Sequence, residues 1–161
     1  MVQENCVKNK ILIMSYNFAS SYFEEIKKEH PNLTKGYGMR RILPYIENAP
    51  DVIAASDIVI SRCGAMTIAE LAACGTAAIL IPSPNVANDH QYKNAKMLTD
   101  KGAAILIREN ELTDGTLLSC VRALTSNKNQ RKMLGEKIRG FYSANAKEKI
   151  EKEIIVCIKG H

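Results

Sequence analysis

The sequence has no tryptophan, and aromatic residues make up only 6% of its 161 positions. That leaves no row of aromatic faces on which nucleic-acid bases could stack. Its five cysteines, Cys6, Cys63, Cys74, Cys120 and Cys157, are odd in number and never form a C-x-x-C pair. This spacing argues against a disulfide framework or a zinc site and suits a reducing, cytosolic compartment. The longest apolar run, "TAAILIPSP", is far too short to span a bilayer. The opening "MVQENCVKNK" lacks the apolar core of a signal peptide. No serine lies in a nucleophile elbow, no carboxylate pair stands out, and His30 and His161 sit in polar contexts. There is also no D-x-D pair to hold a metal, so no cofactor or metal is expected. Charge of one sign is scarce too. The formal excess is +5, and the lysine-rich segments "EEIKKEH" and "NAKEKIEKEIIVCIKGH" interleave lysine with glutamate. Such segments read as solvated helix faces, so no nucleic-acid partner is expected, although a weak affinity for anionic lipid heads remains compatible with them.

What is present is an alternation of two periodicities. Short apolar runs, "KILIMS", "RRILPYI", "DIVIS", "AAILIPS" and "AAILIRE", read as strands, and the segments between them have helical spacing. Pro50 is placed to start a short helix over "DVIAASD". Gly75 closes "AMTIAELAAC", and Gly102 ends the amphipathic "NDHQYKNAKMLTDKG". From "LTDGTLLSCVRALTS" onward the pattern stays helical. Continuously apolar strands alternating with helices imply a parallel sheet covered on both faces. The expected fold is therefore α/β: a Rossmann-like, doubly wound parallel sheet of about five strands with a helical C-terminal tail. At this length, residues 1–161 suit a single domain.

In an open α/β sheet, ligands bind at the carboxyl ends of the strands, beside the helix N-termini. Three loops meet that condition: "PYIEN", "SRCGAMT" and "PSPNVANDHQ". In "SRCGAMTIAE", Gly64 lets a ligand approach the backbone. The amides of Ala65, Met66 and Thr67 would then point from a helix N-terminus and form an anion site suited to a diphosphate. Thr67 and Glu70 share a helix face, expected to lie opposite the packing side formed by Ile68, Leu71 and Ala72. Glu70 can accept hydrogen bonds from ribose hydroxyls, or it can be a first-turn glutamate favoured by the helix dipole. Spacing alone leaves both readings standing. His90 and Gln91 start a helix after a proline-rich loop, where capping and ligand contact are both open to them.

The run from "ILPYIENAPDV" through "ASDIVISRCGAMTIAE", "ILIPSP" and "NDHQYKNA" closely resembles the C-terminal half of the MurG family. These are GT-B glycosyltransferases that add N-acetylglucosamine from UDP-GlcNAc to lipid I in bacterial peptidoglycan synthesis. The resemblance is strong over residues 43–107. It implies that Ile46 presents its backbone to uracil, that Gly64, Ala65, Met66 and Thr67 hold the diphosphate, and that Glu70 binds the ribose. It further implies that Arg62 shapes the loop, that His90 and Gln91 reach the sugar or diphosphate, and that Asn94 lies one turn behind them.

The departures bear equally on function. Family members carry an N-terminal domain that binds the lipid acceptor and supplies the catalytic base, and nothing in this sequence corresponds to it. The Gly-rich loop that opens the family's C-terminal domain is also missing, so a first strand is expected to be lacking and some apolar surface uncovered. The expectation is a UDP-GlcNAc-binding domain, truncated and inactive alone, with no catalytic residue of its own. It would need a missing acceptor-binding domain or partner subunit, through which it meets a lipid-linked acceptor. Its place would be cytoplasmic, peripheral at the inner face of the plasma membrane. The alternatives are the soluble donor subunit of a two-chain transferase and a non-catalytic nucleotide-sugar-binding module.

Overall fold

The apolar runs become strands because each residue of a central strand can be buried on one face or the other. In the computed structural model, residues 11–14, Lys28 and residues 46–159 are described. Among these, four parallel strands form one sheet in the order β1 (Ile11–Met14), β2 (Ile58–Ser61), β3 (Ala77–Leu80) and β4 (Ile105–Leu106). Register runs Ile58 opposite Ile11 and Ala77, and Ile79 opposite Ile105. The further strand expected over "RRILPYI" and the helix expected over "SYFEEIKKEH" lie outside the described residues, apart from Ile46 and Lys28.

Helices connect and cover these strands: α1 (Ala49–Ala54), α2 (Ala65–Cys74), α3 (His90–Asp100), α4 (Asp114–Ser126), α5 (Lys128–Arg139) and α6 (Ala146–Lys159). Side-chain alternation sorts the core into two layers. Val59, Ala78 and Leu80 face Ile53 of α1, Ile68 and Leu71 of α2, and Ala95 and Leu98 of α3. Ile58, Ile60, Ala77 and Ile79 face the opposite way, against Leu124 and the half-buried Leu117 and Val121 of α4. Helices thus cover both faces, which is the doubly wound arrangement. Helix α5 contributes to both layers, with Leu134 in the second and Ile138 in the first.

The expected helix signals act as read. Pro50 lies in the first turn of α1. Gly75 ends α2 at φ 67°, and Gly102 follows α3 at φ 63°, left-handed values that favour glycine. The helical tail is divided, because the Asn127 side chain accepts the Gln130 amide at 3.0 Å and so starts α5. The last strand is only two residues long, since the chain before it is spent on the Gly102 turn and on the Ala103 amide, which donates back to Leu98 at 2.9 Å. Along α6, Ile150, Ile154 and Ile158 recur every fourth residue and are all exposed. Among the described residues no helix is long and apolar enough to cross a membrane.

The amino ends of the strands are closed by a glycine contact. A Cβ on Gly135 of α5 would lie 2.2 Å from the Gly75 carbonyl oxygen, so α5 reaches this corner only without a side chain there. Beside it, Arg139 donates to the Cys74 carbonyl at 2.9 Å, placing a cation at the negative end of α2. Gly135→Ala should therefore lower unfolding free energy by about 1–3 kcal/mol, the range for overpacking. Urea denaturation measures this, and unchanged stability would contradict the contact.

Candidate functional site

At the opposite ends of the strands the chain turns from β2 into α2 through residues 62–64. Gly64 is the N-cap residue with an extended backbone, φ −67° and ψ 152°, and no side chain caps the helix. The first helical hydrogen bond runs from the Ile68 amide to the Gly64 carbonyl, 3.0 Å. The amides of Ala65, Met66 and Thr67 therefore have no acceptor within the helix. Nor does internal packing demand glycine at 64, because the nearest atom to an added Cβ would be Thr67 Oγ1, 3.8 Å away. Among the described residues nothing crowds the space in front of Gly64.

Two buried polar atoms near this turn have no hydrogen-bond partner among the described residues: Glu70 Oε2 and Ser61 Oγ. A buried acceptor left unpaired is costly, which makes the pair informative. Glu70 lies one turn into α2, and its carboxylate helps push the Cys74 thiol above its ordinary range, after the larger effect of burial. Ser61 ends β2, and nothing in the sequence pattern singled it out.

Thr67 departs from expectation. It is 2% exposed and lies within the packed side of α2 with Ile68, Leu71 and Ala72. The buried arc of the helix is wider than its apolar residues alone indicate, because the helix packs against both α1 and α5. Its backbone amide stays at the helix N-terminus, but its side chain does not share the open face. Met66, by contrast, is 73% exposed beside Gly64.

The loop is tied from outside its own helix. Gln91 Oε1 accepts the Ser83 amide at 2.9 Å and the Cys63 amide at 3.4 Å. Asn94 Nδ2 donates to the Cys63 carbonyl at 3.1 Å. Arg62 donates to the Ile81 carbonyl at 3.3 Å and is ion-paired with Glu109. The structure thus brings Arg62, Gln91 and Asn94 together around Cys63. It does not bring His90 into that set, since His90 Nδ1 donates to the Ala87 carbonyl of its own loop at 2.9 Å. Asn88 and Asp89 in that loop both have positive φ, 55° and 51°, strained values for residues other than glycine. Ile46 packs against the core layer that contains Cys63 and Ile68.

On the β4 side of this set, a cavity of about 460 Å³ lies between residues 82–84, Tyr92 and residues 108–110. Arg108 stacks over the Tyr92 ring there, 4.2 Å from its centroid. None of the residues expected to hold the donor lines it. Glu109, Ser83 and Tyr92 carried no local sequence signal, because their partners are brought near only by the fold.

The Glycosyltransferase family 28 C-terminal domain matches residues 4–154. The chain belongs to that family. It is 42% identical over 132 residues to the UDP-N-acetylglucosamine--N-acetylmuramyl-(pentapeptide) pyrophosphoryl-undecaprenol N-acetylglucosamine transferase of Amoebophilus asiaticus, covering 81% of this chain and 35% of that protein. The protein of the same name from Thermoanaerobacter sp. is 38% identical over 144 residues, 89% of this chain and 39% of that protein. The fold is similar to that of Acinetobacter baumannii MurG, with TM-score 0.71 and 24% identity over 93% of this chain and 53% of that one. The chain spans little more than a third of the length of these two sequence relatives.

Cys63, fully buried inside the turn, has its thiol pushed up to about 12 by burial, against a smaller lowering by Arg62. A raised thiol pKa stabilises the fold fully below the unfolded value of 9.0, and this contribution is lost as pH rises from there toward about 12. Native protein at pH 8.5 should alkylate the exposed Cys157 and spare Cys63, read by mass spectrometry with iodoacetamide. Labelling of Cys63 at the rate of Cys157 would contradict its burial.

Proposed function

We propose that the chain is the UDP-GlcNAc-binding domain of an N-acetylglucosaminyltransferase acting on lipid I. The observation that carries this reading is a complementary pair with no partner among the described residues: three helix amides at Ala65–Thr67 and, one turn on, a buried acceptor oxygen of Glu70. Amides at a helix N-terminus suit an anion, and a lone carboxylate oxygen suits a hydroxyl donor. A nucleoside diphosphate offers both, the diphosphate to the amides and the ribose hydroxyls to Glu70. Ile46 would present its backbone to the base, and Arg62 would hold the loop. Met66 would border the ligand, while His90, Gln91 and Asn94 would lie on its sugar side. The names of the sequence relatives support N-acetylglucosamine as the sugar and an undecaprenol-linked acceptor.

Catalysis in this reading divides between two halves. The donor half holds UDP-GlcNAc, and the helix-terminal amides stabilise the negative charge that grows on the departing diphosphate. The acceptor hydroxyl and the base that takes its proton must come from an acceptor-binding half, on the same polypeptide or on a partner. This chain by itself binds donor and does not transfer the sugar. Its place is cytoplasmic, at the membrane face where a lipid-linked acceptor is presented.

Titration calorimetry with UDP-GlcNAc, UDP and UDP-glucose tests the reading. Wild type should bind UDP-GlcNAc, and Glu70→Ala should weaken it by about 1–3 kcal/mol, the cost of leaving ribose hydroxyls unpaired. Absence of binding by wild type would overturn the donor-domain reading. Equal binding by Glu70→Ala would remove Glu70 from the ribose site.

A further inference from the structure

We infer that Gln91 is a positioning residue, a clamp that sets the diphosphate loop after β2 in register with the loop after β3. The inference rests on the UDP-sugar reading for its functional meaning, but its geometry stands alone. One oxygen, Oε1, accepts two backbone amides that belong to different loops, Ser83 at 2.9 Å and Cys63 at 3.4 Å. A backbone N–H can only donate, so the amide orientation of Gln91 is fixed with Oε1 toward the loops. Its Nε2 makes no hydrogen bond among the described residues.

The clamp adds to the turn's own tie, the Arg62 side chain on the Ile81 carbonyl. Gly64 receives no side-chain cap, and Ser61 Oγ makes no bond to the loop. The strand ladder between β2 and β3 ends close by, with the Ile81 amide donating to the Ser61 carbonyl at 2.9 Å. Beyond that bond the two chains separate, one toward Gly64 and the other toward Pro84. Gln91 bridges them at the point of separation. Asn94, on the same face of α3 one turn later, holds the Cys63 carbonyl at 3.1 Å. Cys63 is thereby gripped at both its amide and its carbonyl by one helix, and the peptide that follows leads directly to Gly64 and the unbonded amides. The direction in which those amides point is set by α3 as much as by α2.

Both loops belong to the strand-end crevice, so a loss of register should act on phosphate binding more than on the base and ribose contacts. Two variants separate the clamp from general packing. Gln91→Glu keeps an acceptor oxygen at the Oε1 position, whereas Gln91→Leu removes it at similar size. Backbone amide exchange followed by NMR on the chain without ligand reads the clamp directly. In Gln91→Leu the Ser83 and Cys63 amides should exchange roughly tenfold faster, as expected for the loss of about one hydrogen bond each, with the β2 and β3 ladder amides unchanged. In Gln91→Glu both should stay protected.

With ligand, the ratio of UDP to uridine affinity should fall roughly tenfold in Gln91→Leu, since uridine carries no diphosphate. A merely structural loss would lower both affinities together. Unchanged exchange at Ser83 and Cys63 in Gln91→Leu would overturn the clamp, and so would equal loss of protection in Gln91→Glu. An unchanged UDP-to-uridine ratio would overturn its bearing on the diphosphate. If wild type binds neither ligand, the proposed function fails, while the exchange result still decides the clamp.

Discussion

The chain has three residues, 62–64, in which to pass from a fully buried strand to a helix whose first amides face outward, and the site depends on how that turn is held. The core holds its middle. Cys63 is 0% exposed, fixed into the same layer as Ile68 and Leu80, so the turn cannot swing on its own. Its flanks are held by Gln91 and Asn94 from α3 and by the turn's own Arg62, braced against Ile81 and Glu109. With the ends fixed, Gly64 needs no side chain and its neighbours' amides have no partner among the described residues. Those are the two properties that an anion site requires. The Arg62–Glu109 pair is partly exposed and contributes little to stability by itself. Its effect is geometric, directing a cation along the loop instead of into it.

Helix packing at a glycine contact and the proposed ligand site fall at opposite ends of one sheet. At the amino ends, α5 presses Gly135 against the Gly75 carbonyl and caps α2 with Arg139. At the carboxyl ends, groups without a partner among the described residues collect: three helix amides, Ser61 Oγ and Glu70 Oε2. A folded chain places few unsatisfied groups in its interior, and their concentration at a single edge, among the described residues, is what supports the proposed ligand site there. The division follows from the α/β architecture, in which every strand delivers its following loop to the same side.

Much of this was legible in the sequence because it is local. Continuous apolar runs gave β2 and β3 with their helices, and Pro50, Gly75 and Gly102 marked their boundaries through backbone geometry alone. The position of Gly64 before "AMTIAE" located the turn at which this helix begins. Thr67 was misplaced because helical spacing describes one helix, whereas burial depends on what lies above and below it. The partners of Gln91 and Arg62 were invisible for a related reason. Cys63 and Gln91 are 28 residues apart, and Arg62 and Glu109 are 47 apart. No pattern within a window of the sequence connects them. Asn127 read as part of a continuous helical run, yet its side chain caps α5 and divides the tail, since a short polar residue can serve a helix end as readily as a solvated face.

The central claim is that a diphosphate sits on the amides following Gly64. Amide chemical-shift mapping during a UDP titration tests it most directly, because it reports on each N–H separately. The account predicts that the largest changes fall on Ala65, Met66 and Thr67, with smaller ones at Cys63 and Ser83. Changes confined instead to Tyr92 and the 108–110 turn would place the ligand in the neighbouring cavity and contradict it.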